Sequence, residues 1–403
     1  MIKRFLSFSS LFIILIFSAN CSSESKDLKN ENVYEESSVS QDLADASASE
    51  AELASANASV SKSRHNAITK AVEKCSPAIV GINVTETVQV EYRDRFFDHP
   101  FFREFFGRRA PRYRQYQVEG LGSGFIISPD GYILTNHHVA GKATEVIVTM
   151  TNGKEYEAEI IGSDIVSDVA LLKIDGENLP YLKFSDSESA IIGEWVIAFG
   201  NPFGLFDINA KPTVTVGVIS NIGIDFFQEK RVYKGMIQTD VAISSGNSGG
   251  PLVNSLGEVI GMNTVIFSTA QSREGAGSIG IGFSIPINRV KKIVDLLKDE
   301  GEVKRNYYIG MKVQNINEKI ARYFGLGDNT DGVIVVSMDR DSPAFKAGIE
   351  PGDVITEING RPVITEQDYY IAVFDNFVGD TINFKIRRDD DVINRKFELK
   401  EFD

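Results

Sequence analysis

The sequence predicts a mostly-β protein: an antiparallel barrel or sandwich over most of the folded chain, followed by a small α+β domain. Three observations carry this. About ten short runs rich in β-branched and aromatic residues lie between residues 79 and 263, parted by turn signals, with almost no helical periodicity among them. One clear amphipathic helix follows and stops at Glu300-Gly301. From residue 303 the pattern changes to short strands mixed with two short helices.

Taken in order, the chain opens with Lys3 and Arg4, an apolar run from Leu11 to Phe17, and then Ser18-Ala19-Asn20-Cys21. A charged start, a short apolar stretch and small residues define an export signal over residues 1–20. The run is well short of the ~20 apolar residues that span a bilayer. Its end at a cysteine resembles a bacterial lipoprotein signal, which implies that Cys21 becomes the acylated first residue. Residues 22–60 hold ten Ser, seven Ala and nine acidic residues but one aromatic, Tyr34. Such a segment buries too little apolar surface to offset its ordering entropy. It reads as a flexible tether, residues 21–65 in all, with a partly helical stretch from Asp45 to Ala58 as the alternative. Half of the chain's formal charge of −14 lies in residues 22–60, and the acidic balance argues against nucleic acid as a partner. Cys21 and Cys75 cannot form a disulfide framework, and the four histidines show no zinc-type spacing, so no metal or cofactor is expected.

Asn66 can cap a short helix ending near Cys75, with Ile68, Ala71 and Val72 on one face and a buried free thiol. The predicted strands are Ile79–Val84, Gly124–Ile127, Tyr132–Thr135, Glu145–Met150, Tyr156–Ile161, Val169–Ile174, Trp195–Phe199, Thr213–Ile219, Gly235–Gln238 and Val259–Asn263. Pro286 starts the amphipathic helix, in which Ile287, Val290, Ile293, Val294 and Leu297 share a face. Between Phe96 and Phe106 stand six Phe, among seven Arg from Arg93 to Arg114. This reads as a long aromatic loop that packs on another subunit or gates a site, or else as a local cluster.

Within this β framework, Gly246-Asn247-Ser248-Gly249-Gly250-Pro251 can present a serine hydroxyl from a tight turn while backbone N–H groups face an oxyanion. An activated serine needs a base, and the base needs an orienting acid. Thr135-Asn136-His137-His138-Val139 follows a strand, and Ser167-Asp168-Val169 opens another. The chain order His, Asp, Ser is that of chymotrypsin-type enzymes.

Together with Gly120-Leu121-Gly122-Ser123-Gly124, Gly200-Asn201-Pro202-Phe203-Gly204, Thr239-Asp240 and Ile279-Gly280-Ile281-Gly282-Phe283, these motifs resemble the Deg/HtrA family of serine proteases over residues 66–400. The resemblance implies a chymotrypsin-like double β-barrel protease domain (66–302). In it Ser248 is the nucleophile, His138 the general base and Asp168 the orienting acid, with the N–H groups of Gly246 and Ser248 as oxyanion hole. His137 reads as a supporting or surface residue whose ring points away from that of His138. Asn247 stands where chymotrypsin-type zymogens carry an Asp, so regulation by loop rearrangement and a peptide-binding domain is implied. Ile243, Ile279 and Ile281 either line the pocket for the residue before the scissile bond or belong to the core. Ser244-Ser245 departs from the family's Asn-Arg, and Asp207–Pro212 looks like a small insertion.

In residues 303–403, Ser342-Pro343-Ala344 starts a short helix ending at Gly348, Pro351-Gly352-Asp353 leads into Val354–Ile358, and Asn359-Gly360 turns a hairpin. A helix near Glu366–Phe377 precedes two strands, Thr381–Arg387 and Val392–Leu399. The segment resembles a PDZ domain, which implies capture of hydrophobic C-terminal peptides, with Tyr308, Ile309, Gly310 and Met311 as the carboxylate-binding loop. The whole resemblance implies an envelope serine endopeptidase for misfolded or signalling proteins, facing the periplasm as a lipoprotein, and a homotrimer or higher oligomer. The alternatives are a non-proteolytic holdase and a sensor protease dedicated to one partner.

Overall fold

The computed structural model describes residues 50–92, 112–201, 211–266, 280–326, 331–389 and 391–402. The export signal, Cys21, the first part of the tether, the Phe-rich segment, Ile279 and residues 207–210 of the predicted insertion lie outside them. Residues 50–64 form a helix, α1 (Glu50–Arg64), where the composition was read as flexible. The reason is propensity: Ala51, Ala54, Ala56 and Ala58 outweigh the serines. Residues 57–65 are all exposed, so that part of the helix has no packed face. Helix α2 (Ala67–Cys75) is capped as predicted, Asn66 Oδ1 accepting from Thr69 N at 3.0 Å. Cys75 is fully buried, and burial pushes its thiol up to about 11.

Twelve strands close two six-stranded antiparallel barrels. The first contains β1 (Ile79–Tyr92), β2 (Arg112–Ile126), β3 (Tyr132–Thr135), β4 (Glu145–Met150), β5 (Glu155–Asp164) and β6 (Val169–Ile174) in the order β1-β2-β3-β6-β5-β4. The second contains β7 (Trp195–Gly200), β8 (Thr213–Gln228), β9 (Arg231–Thr239), β10 (Pro251–Asn254), β11 (Val259–Ile266) and β12 (Gly282–Pro286) in the order β10-β11-β12-β9-β8-β7. The pattern reading missed β10, which opens on a proline, and β12, which opens on a glycine. Barrel closure removes the edges that would otherwise leave backbone groups unpaired.

The period-2 alternation of strands sorts the core. Val80, Ile126 and Leu172 fill the first barrel, and Val196, Ala198 and Leu252 the second. Their neighbours Ile79, Phe125, Leu171, Ile197, Phe199 and Val253 point the other way, into a third core shared by the barrels. Helix α4 (Ile287–Glu300) lays its predicted apolar face on that shared core and ends at Gly301, whose φ of +76° suits glycine. The catalytic candidates therefore sit on two rigid bodies welded along one apolar seam. They are reached from β3 and β6 on one side and from the turn before β10 on the other.

The C-terminal sheet runs β13-β14-β15-β17-β18, with β16 (Arg361–Pro362) beside β15. Its strands are β13 (Met311–Asn315), β14 (Val333–Met338), β15 (Val354–Ile358), β17 (Thr381–Arg388) and β18 (Asp391–Glu398). Helix α7 (Glu366–Phe374) starts with a Thr365/Asp368 capping box and ends three residues earlier than predicted, at Phe374, with Asp375 as its C-cap. The sheet has its own core around Val313, Val335, Ile355 and Ile386. Its contacts with the barrel domain are both apolar and charged. Phe227 of β8 stacks on Tyr370 and Phe374 of α7 at centroid distances of 5.3 and 5.5 Å, and Ile371 packs with Val166 and Val232. Asp375 receives Lys234 and Arg289, the latter at 2.6 Å. Arg305 reaches the Asp164 carboxylate at 3.1 Å and donates to the carbonyls of Phe374 and Asn376.

Candidate active site

A one-turn helix, α3 (His137–Ala140), follows β3 directly. The two histidines are thus neighbours on a helical turn and not on an extended strand, which corrects the expectation that their rings diverge as strand neighbours do. His138 has its side chain about one-third exposed, facing the cleft. His137 is buried, not on the surface, with Nδ1 3.0 Å from Ser163 Oγ. Burial, reinforced by the charges of Arg231 and Lys142, pushes its pKa down against the pull of Asp168 and Asp164.

Asp168 is wholly buried and sits at φ +58°, a left-handed backbone that Asp tolerates better than most residues. Its carbonyl accepts from Asn136 Nδ2 at 3.0 Å. Its Oδ1 accepts the His138 backbone N–H at 3.1 Å, and its Oδ2 accepts His138 Nδ1–H at 2.8 Å and Thr264 Oγ at 2.6 Å. Burial alone would raise its pKa. The hydrogen bonds from His138 and Thr264, with the charges of His138 and Arg231, win and hold it below the ordinary carboxylate value. An ionised acid bonded to Nδ1 fixes the tautomer that leaves Nε2 free to take a proton.

Ser248 follows a 3₁₀ turn, Ser245–Asn247, and is itself buried. That turn is stitched down by backbone bonds: Asn247 N to Ser244 O, Gly249 N to Asn263 O and Gly250 N to Asn247 O, all at 2.9–3.0 Å. Ser123 binds it from the first barrel, donating N–H to Ser248 O at 3.0 Å and Oγ–H to Gly246 O at 2.5 Å. The glycines are required by space. A Cβ on Gly249 would stand 2.2 Å from Ser123 O, and one on Gly250 2.1 Å from Phe199 O. Ser248 Oγ donates to Thr264 O at 3.1 Å and makes no direct bond to the His138 ring. Thr264 thereby touches both halves of the site, through its hydroxyl to Asp168 and its carbonyl to Ser248.

Sequence reasoning missed Thr264 and the role of Ser123. Ser123 was visible inside the Gly-Ser-Gly motif, whereas Thr264 sits in an unremarkable strand. Of the pocket candidates, Ile243 is fully buried in the second barrel, with Cδ1 lying where a Gly282 Cβ would be. Ile281 is partly buried against the shared core. Among the described residues no cluster of His, Cys, Asp and Glu could hold a metal ion.

In the C-terminal domain, Tyr308, Ile309, Gly310 and Met311 line one end of a cleft of about 280 Å3 whose other wall is α7, with Tyr370 and Phe374. Gly310 has φ +79°, and a Cβ there would meet Ser342 Cβ at 2.2 Å. Tyr308 donates its hydroxyl to Asp339, which raises the phenol pKa, and its ring packs on Phe402. A sheet edge beside a helix, with a tight glycine loop at one end, is the geometry that receives an added peptide strand.

Two barrels with Ser, His and Asp candidates gathered at their junction, joined to such a peptide-cleft domain, define a serine protease of the trypsin type with one PDZ domain. Comparison with known proteins agrees. The family profile of the trypsin-like peptidase domain matches residues 122–262, and that of the PDZ domain residues 307–399. A protein of Pseudomonas putida (strain W619) named "Probable periplasmic serine endoprotease DegP-like" is 42% identical over 313 residues, covering 74% of this chain and 62% of its own length. Its counterpart in Pseudomonas fluorescens (Pf-5) is 42% identical over 334 residues, covering 80% of this chain and 67% of its own length. Among solved structures, the HtrA-type protease AlgW with a decapeptide superposes with a TM-score of 0.63 at 36% identity, covering 82% of this chain and 98% of that one. The serine endoprotease from Yersinia pestis gives 0.56 at 33%, covering 83% and 98%. The chain belongs to the HtrA/DegP-like family of serine proteases. It spans about two thirds or slightly less of the length of these curated relatives.

Proposed function

We propose that the protein is an envelope serine endopeptidase that cleaves misfolded or signalling proteins and is regulated by peptides bound to its PDZ cleft. The observation that carries this is the pair of links made by Thr264, which ties buried Asp168 and Ser248 together beside His138. In the reaction, Ser248 Oγ turns from the Thr264 carbonyl to His138 Nε2, loses its proton there and attacks the peptide carbonyl. The N–H groups of Gly246 and Ser248 receive the oxyanion. His138 returns the proton to the leaving amine, and water then releases the acyl group by the reverse sequence. The resting hydrogen bond of Ser248 to Thr264 supports an enzyme that waits for activation. Stacking of Phe227 on the α7 residues that line the cleft supports a route from bound peptide to protease domain. The decapeptide carried by the AlgW structure supports peptide binding.

The names of the relatives support a periplasmic site of action, and the export signal supports secretion. Lipidation at Cys21 would hold the protein on a membrane through the tether. Assembly as a trimer or larger oligomer follows from the family reading. The test is casein hydrolysis and labelling by a serine-reactive fluorophosphonate, with and without hydrophobic C-terminal peptides. The wild type cleaves and labels, more strongly with peptide, and Ser248→Ala does neither. Suppression of aggregation by both proteins without cleavage would instead establish a holdase.

A further inference from the structure

The triad candidates do not account for every charge at Asp168. Arg231 opens β9 immediately after the Glu229-Lys230 turn, whose two residues both have positive φ, and it pairs in register with Gln228. Its neighbour Val232 donates its N–H to Val166 O at 2.8 Å, tying the hairpin to the loop that ends at Asp168. The Arg231 side chain is 18% exposed, and its buried Nε, without a hydrogen-bond partner of its own, stands 3.5 Å from Asp168 Oδ1, the oxygen that accepts the His138 backbone N–H. Nη1 is held 3.0 Å from the exposed Glu229 carboxylate. Buried Asp168 is thus faced by His138 from α3, by Thr264 from β11, and by Arg231 from β9. Tyr233, further along β9, has its phenol kept neutral by burial and by the charge of Asp168. His137 and Asp164 also lie within this field.

We propose that Arg231 is a positioning residue for the proteolytic reaction: its charge, set beside Oδ1 of Asp168, opposes the positive charge that His138 acquires when it takes the serine proton. This rests on the protease reading above. A cation on the far side of the acid offsets part of the attraction between the carboxylate and the imidazolium. The contact also comes from the hairpin whose Phe227 touches the PDZ helix, so it belongs to an element shared by both sites.

The test uses the full chain and two readouts. In peptide hydrolysis, Arg231→Gln moves the acid limb of kcat/KM upward by about 0.5–1 pH unit, and activity at pH 6 falls roughly 3–10-fold with KM unchanged. Arg231→Lys, which keeps the charge, restores the limb. In a Ser248→Ala background, NMR titration of His138 shows the same upward shift on adding Arg231→Gln, independent of any activity. Should Arg231→Gln fail to fold, Arg231→Met takes its place. An unchanged His138 titration, or a Lys variant that behaves like Gln, overturns the proposal. Wild-type inactivity alongside a shifted titration would overturn the protease reading and leave the electrostatic role of Arg231 standing.

Discussion

On the first-barrel side of the cleft, Asp168 and His138 are already arranged. The carboxylate accepts the His138 backbone N–H, its Nδ1–H and the Thr264 hydroxyl at 3.1, 2.8 and 2.6 Å. On the second-barrel side, Ser248 is well anchored in its backbone, yet its hydroxyl is engaged by the Thr264 carbonyl instead of the base. The difference teaches where activation has to act. In the proposed mechanism the acid–base pair is preorganised, whereas the proposed nucleophile needs one side-chain rotation within a fixed turn. Regulation aimed at the 244–248 turn would therefore switch the enzyme without disturbing the buried charge of Asp168.

The largest expected effects test whether the two halves act as one unit. Ser248→Ala should lower kcat by about 10⁶, and Asp168→Asn by about 10⁴ through the wrong imidazole tautomer. A double variant no worse than Ser248→Ala alone would sharpen the comparison; additive losses would break it. Next, Thr264→Val removes the hydroxyl that serves Asp168 but keeps the carbonyl that serves Ser248. A hydrogen bond to a charged group is worth about 1.5–3 kcal/mol, so kcat should fall roughly 10–100-fold while fluorophosphonate labelling slows in proportion. Equal labelling rates would mean that the acid side does not depend on Thr264.

A smaller effect belongs to the contact between the barrel and the peptide domain. Burial would raise the pKa of Asp375, but Arg289 and Lys234 hold it below the ordinary carboxylate value. Its contribution to stability is therefore complete above about pH 4, near the unfolded value, and is lost as pH falls through the depressed folded value. Asp375→Asn should lower thermal stability at pH 7 by about 1–3 kcal/mol, discounted from a fully buried pair. That deficit should shrink on acidification below pH 4 in melting curves. The peptide-activation curve should shift with it, since Asp375 closes the helix that walls the cleft. The smallest effect concerns Cys75, whose thiol is pushed up to about 11 and fully buried. Native protein at pH 8 should resist alkylation for hours and label fully in denaturant.

Much of this was legible because the relevant signals are local. Proline and glycine marked the ends of α4, Asn66 marked the start of α2, and Asn359-Gly360, at φ +50° and +79°, marked its hairpin. The motifs around His138, Asp168 and Ser248 are likewise short and contiguous. What escaped was either spread along the chain or written in weak code. Strands β10 and β12 open on Pro251 and Gly282, residues that disguise a strand. Thr264 and Arg231 reach Asp168 only because β11 and β9 fold beside it, a proximity of 96 and 63 positions that no spacing rule reports. The backbone at His137 departed from its reading because a one-turn helix after β3 replaced the extended strand end. The helix at Glu50–Arg64 prevailed through alanine propensity in a segment whose composition otherwise speaks for disorder.

The glycines around the nucleophile carry a consequence for heredity. Added side chains at Gly200, Gly249 and Gly250 would lie 2.4, 2.2 and 2.1 Å from Asn247 Oδ1, Ser123 O and Phe199 O, the last two of them main-chain atoms. Every single-base change that replaces a glycine with another amino acid introduces a Cβ. No one-step missense route through Gly249 or Gly250 therefore avoids a collision with the chain itself. Lineages can remodel the loops, the tether and the peptide cleft by small steps, but this turn must be inherited whole.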